Sequence, residues 1–136
     1  MDVKEYAIII FCDKEKRILL QDRAGISKYG EEWGFFGGRM EGSETPEAGI
    51  IRETKEELDY GLVSFKFFTR VEAPSASGRG MSVNYAFLAE FPGFGSFRQL
   101  EGTEMQFFSV AEAKKLRMTP ISYLVLNALE EYFEKG

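Results

Sequence analysis

The chain has no histidine, a single cysteine and four prolines in 136 residues. Without histidine there is no imidazole base and no His-ligated zinc, so acid–base and metal chemistry falls to carboxylates and water. One thiol excludes an intramolecular disulfide, and the place of Cys12 beside the apolar run YAIIIF predicts a buried packing role. Basic residues are in deficit: 17 Lys and Arg against 22 Asp and Glu give a net charge of −5. With no basic stripe to track a phosphate backbone, a nucleic-acid polymer is not an expected partner. No apolar run approaches the ~18 residues of a membrane span. No membrane partner is therefore expected, no signal peptide is read, and the cytoplasm is the expected location.

The composition, 44% hydrophobic and 29% charged, is that of a globular protein. The length suits a single domain over residues 1–136 with a core of its own. Tyr6 to Phe11 reads as a strand buried on both faces, Asp13 to Lys16 as a turn and Arg17 to Arg23 as a returning strand. A loop over Ala24 to Glu32 leads to a short strand, Trp33 to Phe36, that ends at Gly37-Gly38. Leu62 to Glu72 predicts a strand with Val63, Phe65, Phe67 and Thr69 on one side. Ala73 to Gly80 reads as loop, and Met81 to Phe91 as another strand, on which Asn84 and Tyr85 are candidates to face a cleft. Ser109 caps a short helix through Leu116. Thr119-Pro120 opens a final helix to about Lys135, with Ile121, Leu124, Val125, Ala128, Leu129 and Tyr132 as its apolar face. Strands, helix, strands and terminal helices in this order predict an α+β domain with helices on both sides of a mixed sheet.

The most informative segment is GRMEGSETPEAGIIRETKEELDY, Gly38 to Tyr60. Thr45 and Pro46 read as N-cap and first-turn proline of a helix running to about Asp59. At 100° per residue, Ile50, Ile51, Thr54 and Leu58 share a stripe. Glu53, Glu56 and Glu57 converge on an adjacent one. Such an acidic run is most often a solvated helix face. It is also what a site needs to hold Mg²⁺ against a polyphosphate, since that ion takes oxygen ligands.

The upstream spacing favours the second reading. The segment resembles the Nudix box, G-x5-E-x7-R-E-U-x-E-E-x-G-U, through Gly38, Glu44, Arg52, Glu53, Glu56 and Glu57. It departs at Asp59, where the box has glycine, and at Thr54, where it has a bulky apolar residue. Both departures touch packing rather than presumed ligands. The resemblance implies a Nudix-type α/β/α sandwich and hydrolysis of a nucleoside diphosphate linked to another group. It implies Mg²⁺, with Mn²⁺ as an alternative, on Glu53, Glu56 and Glu57, with the Gly37 or Gly38 carbonyl as a further ligand. Glu44 and Arg52 are then structural support, holding loop and helix in register. The general base is Glu53 or Glu57, or a carboxylate of the later loop, Glu101 or Glu104. Arg23 and Arg39 are candidate phosphate contacts, because guanidinium matches phosphate geometry. Trp33, Phe35 and Phe36 are expected in the core, with stacking of one ring on a base as the alternative.

Family members directed at oxidised guanine can use an Asn before the final helix, and Met118-Thr119-Pro120 lacks one. The expected partner is a small nucleotide, first a canonical or damaged nucleoside triphosphate, then a nucleotide sugar. A non-catalytic nucleotide sensor is the rival class, and an isomerase is disfavoured because Cys12 lies in a strand. A homodimer is left open.

Overall fold

The computed structural model describes residues 2–27, 29–98 and 104–135. Its elements are β1 (Val3–Cys12), β2 (Ile18–Asp22), β3 (Trp33–Gly34), β4 (Phe36–Arg39), α1 (Pro46–Leu58), β5 (Lys66–Pro74), β6 (Met81–Glu90), a 3₁₀ turn (Phe94–Ser96), β7 (Met105–Phe108), α2 (Val110–Ala113) and α3 (Pro120–Lys135). The seven strands form one mixed sheet. β1 runs parallel to β6 over its whole length, and the other pairings are antiparallel.

β1 is buried from Ala7 to Phe11 because it has neighbours at both edges and helices on both faces. Ile8 and Ile10 pack with Val125, Leu126 and Leu129 of α3. Ala7, Ile9 and Phe11 pack with Ile50 and Leu58 of α1. Each such aliphatic side chain contributes about 1.5–3 kcal/mol on leaving water. The sheet is thus the middle layer of an α/β/α sandwich, as the box implied.

One feature of the sheet positions the site. β1 and β2 pair only at Cys12↔Ile18 and then diverge. The 33–39 segment enters the gap, pairing Trp33 and Gly34 with β2, then Phe36 to Arg39 with β1. The single short strand expected over Trp33 to Phe36 is therefore two, divided at Phe35.

Four other expectations need correction. β5 starts at Lys66 and not Leu62, Val63 is 85% exposed, and a bulge between Phe67 and Thr69 breaks the alternation. The buried stripe of α3 is Ser122, Val125, Leu126 and Leu129, whereas Leu124 and Tyr132 are each 39% exposed. On α1, Ile51 is likewise exposed, whereas Gly49 is buried beside Glu44 and Met40. Cys12, at the end of β1, is half-buried and not sealed, although burial still pushes its thiol up to about 11. None of the described helices is long and apolar enough to cross a membrane.

Candidate active site

The site is organised by the start of α1 and the Gly37-Gly38 strand beside it. Thr45 accepts a hydrogen bond from the Ala48 N–H (3.2 Å) and Pro46 occupies the first turn, where its missing N–H costs nothing. At the other end Asp59 adopts the left-handed conformation (φ 47°, ψ 45°) that the box gives to glycine. Thr54 is buried, and its hydroxyl donates to the Ile50 carbonyl at 2.7 Å, so the second departure from the box is satisfied within the helix.

Gly37 and Gly38 permit two close approaches. A Cβ on Gly37, whose φ is +140°, would stand 2.1 Å from the Ala7 carbonyl oxygen of β1. A Cβ on Gly38 would stand 2.4 Å from the Glu53 carboxylate. The Gly37 N–H donates to Glu57 Oε1 at 2.8 Å. Glu53 and Glu57 are thereby held against the glycine turn, while Glu56 points outward with its side chain 57% exposed.

Arg52 ties this edge together. Its Nε and Nη2 donate to the two oxygens of Glu44 at 3.2 and 2.7 Å, a bidentate fork. Nη1 donates to Glu53 (2.9 Å) and Glu56 (3.2 Å), and Nη2 also reaches the Arg39 carbonyl (3.0 Å). Glu44 in turn accepts from the Glu41 N–H at 2.7 Å, which closes the loop onto the helix.

The electrostatics are asymmetric. Arg52 and the Glu41 N–H hold the Glu44 carboxyl below its usual range. Burial raises that of Glu53 against the pull of Arg52. Burial, reinforced by Glu53 and Glu56, pushes Glu57 up to about 7 despite the Gly37 hydrogen bond. One guanidinium does not neutralise this group, and the excess negative charge is what a divalent cation would offset. The donor set therefore fits a hard cation, all oxygen and partly desolvated. In their present rotamers no three acidic or thiol side chains among the described residues close on an ion, since Arg52 engages Glu53 and Glu56.

A cavity of about 270 Å³ opens from the Gly37-Gly38 turn onto the α3 face of the sheet. The carboxylates adjoin its glycine end without lining it. Arg23 lines it, but its Nε donates to Glu31 (3.0 Å) and its Nη1 to Gln21 (3.3 Å). Its stem crosses the place a side chain at Gly34 would occupy. Arg39 is exposed, and among the described residues only its carbonyl is bonded. Glu104 is exposed, its carbonyl accepting from the Asp22 N–H at 2.8 Å on the side of β2 away from β4. Glu101 lies outside the described residues.

Sequence reasoning missed Glu31, which is 6% exposed and accepts from Arg23, Ser27 and the Tyr29 N–H. Its loop carries no periodicity to flag it. It also missed Ser82, Thr119 and Ser122 in the cavity lining. Trp33 and Phe35, expected as core, line the cavity as well, and Phe36 alone of the three is sealed. Of the two strand candidates Asn84 faces the cavity, and Tyr85 lies on the other face with its hydroxyl donating to Glu5 at 2.8 Å.

Comparison with known proteins accords with this arrangement. The family model described as NUDIX domain matches residues 3–129. An 8-oxo-dGTP diphosphatase of Proteus vulgaris is 38% identical over 60 residues, which are 43% of this chain and 54% of that protein. The matched segment thus spans about half of that relative's length. Among solved structures, the E. coli ORF135 protein superposes with a TM-score of 0.75 at 24% identity, covering 96% of this chain and 91% of that one. A MutT NUDIX hydrolase from Burkholderia pseudomallei gives 0.67, again at 24% identity, over 96% and 98%. At that identity the structural likeness speaks to the fold.

Proposed function

Because this chain belongs to the Nudix family, we propose that it is a hydrolase of phosphoric anhydrides that depends on Mg²⁺, with Mn²⁺ as a substitute. Its proposed substrates are nucleoside diphosphates linked to another group, nucleoside triphosphates first. The observation that carries this reading is the seating of Glu53 and Glu57 on the Gly37-Gly38 turn, at the end of a cavity. The ion supplies charge neutralisation at the phosphates and a more acidic water. Glu57 and Glu53 are its proposed first ligands, with Glu56 and a glycine carbonyl of the turn completing the set.

The rest is assigned to the chain's own groups. The Gly37 N–H fixes the Glu57 carboxylate, and Arg52 keeps Glu53 turned toward Gly38. Glu53 is the proposed acceptor of the attacking water's proton, its carboxylate being held against Gly38 at the glycine end of the cavity. Glu104 is a weaker candidate, because β2 separates it from the turn. The Glu44–Arg52 fork acts by positioning. Arg23 is a phosphate contact only if it leaves Glu31, whereas the exposed Arg39 has no ion pair to break among the described residues.

A triphosphate is favoured over a nucleotide sugar by the relative named 8-oxo-dGTP diphosphatase. The test is Mg²⁺-dependent product release from nucleoside triphosphates, nucleotide sugars and dinucleoside polyphosphates, with wild type beside Glu57→Gln. Turnover of one class by wild type, reduced by orders of magnitude in the variant, is the expected result. Binding without turnover across the panel would replace the hydrolase with a sensor.

A further inference from the structure

Seven polar or charged residues are buried in the described chain: Gln21, Glu31, Thr54, Ser75, Ser82, Asn84 and Ser122. Five are bonded to protein through their side chains. Ser82 and Asn84, each 7% exposed, have no side-chain partner among the described residues. Buried polar groups are almost always paired, and those that are not call for a cause.

Both residues line the cavity. They sit two apart on β6, so they share the face that turns away from Val83 and Tyr85. No polar side-chain atom among the described residues is both sealed from solvent and unbonded, so the free groups of Ser82 and Asn84 open onto the cavity. The same lining includes the rings of Tyr6, Trp33 and Phe35 on the sheet side, and Pro120 and Ile121 at the start of α3. The neighbouring Thr119 and Ser122 hydroxyls bond each other at 2.9 Å, and Glu31 is held by Arg23. Among the described residues, the charges that line the cavity are Arg23 and Glu31, and these are paired with each other.

We propose that Ser82 and Asn84 are specificity-determining residues that read the hydrogen-bonding edge of a neutral planar heterocycle carried by the substrate. This rests on the hydrolase reading for the phosphate end, and it deepens it by assigning the other end of the cavity. An amide presents one donor and one acceptor side by side, and the serine hydroxyl adds a group that serves as either. That set matches a base edge on which an amino or imino N–H adjoins an acceptor. It does not match a sugar, which presents many hydroxyls and no flat face for Trp33 or Phe35. A site built around such polar groups rejects ligands that cannot bond them, because the groups are then left unpaired.

The test separates the two ends. Binding of the free nucleosides, which lack phosphate, is measured by calorimetry for wild type, Ser82→Ala and Asn84→Leu. The same series uses N6,N6-dimethyladenosine and N4,N4-dimethylcytidine, whose amino donors are blocked. Thermal melts check the fold, and Asn84→Thr serves if the leucine variant does not fold. The expected result is binding of a nucleoside by wild type that falls roughly tenfold or more in either variant and on dimethylation. For the matching triphosphate, KM should rise by a similar factor while kcat falls less. Nucleoside affinity unmoved by the variants, alongside triphosphate turnover, would overturn this assignment and leave the hydrolase reading standing. Nucleoside binding lost in the variants, with no turnover of triphosphates, nucleotide sugars or dinucleoside polyphosphates by wild type, would uphold it and overturn the hydrolase.

Discussion

Gly38 and Glu53 occupy what would otherwise be one volume: a Cβ on the glycine would lie 2.4 Å from the glutamate's carboxylate. The obstacle is the tip of a flexible side chain, which can swing away. Gly38→Ala should therefore fold with a loss of about 1 kcal/mol or less and displace Glu53, cutting turnover by about two orders of magnitude. Gly37→Ala meets the backbone oxygen of Ala7 at 2.1 Å with φ at +140°, and should cost about 2–4 kcal/mol. Urea melts of the two variants decide the matter, and equal destabilisation would contradict the contrast.

Glu57, like Glu53, makes the metal-free protein pH-sensitive in a direction opposite to its down-shifted carboxylates. Its folded-state pKa of about 7 lies above the ordinary 4.5, so across that window the folded state holds a proton the unfolded chain has released. The stabilisation is complete below the window and is lost as pH rises through it, on the order of 3 kcal/mol. Asp13, Glu31, Glu44, Asp59 and Glu112 are shifted down, so their contribution is instead lost in acid. Glu57→Gln keeps an acceptor for the Gly37 N–H. It should melt a few degrees higher than wild type at pH 8 without metal, and Mg²⁺ should stabilise wild type alone. A lower melting temperature for the variant at pH 8 would refute the shift.

Arg52 and Glu44 should be energetically coupled. The fork is partly buried, with side-chain exposures of 22% and 17%. Lysine keeps the charge but not the paired geometry, so Arg52→Lys should cost about 1–2 kcal/mol. A double-mutant cycle with Glu44→Gln should return a coupling of about 1 kcal/mol or more. A coupling near zero would reduce the pair to an ordinary surface contact.

Gly34→Ala tests the Arg23–Glu31 pair. The added methyl would stand 2.6 Å from Arg23 Cδ, so the arginine must move off Glu31. Burial already presses the Glu31 carboxyl upward, and its hydrogen bonds, that from Arg23 among them, outweigh the burial. Without Arg23 the variant should lose about 1–3 kcal/mol, and its Glu31 pKa, followed by NMR titration, should rise. A pKa left in place would show that Arg23 finds another path to it.

The sequence revealed most where its signals were local. The Thr45-Pro46 cap, the box spacing and the carboxylate cluster lie within one helix and its approach, and α1 forms over those residues. The alternation of β5 misled, because the bulge between Phe67 and Thr69 is a product of pairing with β6 that no single-strand pattern records. The stripe of α3 was misjudged because Leu124 and Tyr132 are apolar residues left at the rim while Ser122 goes inside. Ser82 was legible in principle: with Asn84 it interrupts a face of β6 that is otherwise Ala86 and Leu88. Glu31 was not, since its partner Arg23 reaches it across a loop.

The long parallel ladder joining β1 to β6, from Val3↔Met81 to Cys12↔Glu90, bears on how the molecule assembles. The strand at the centre of the sheet is synthesised before its parallel partner, with α1 and β5 between them. It cannot complete its hydrogen bonds until the chain has been made through residue 90. Until then Ile8, Ile9 and Ile10 are an unprotected apolar strand, the kind of segment that pairs with the wrong neighbour. The central strand is made before the partner that satisfies it, so the hazard in making this protein lies in the waiting.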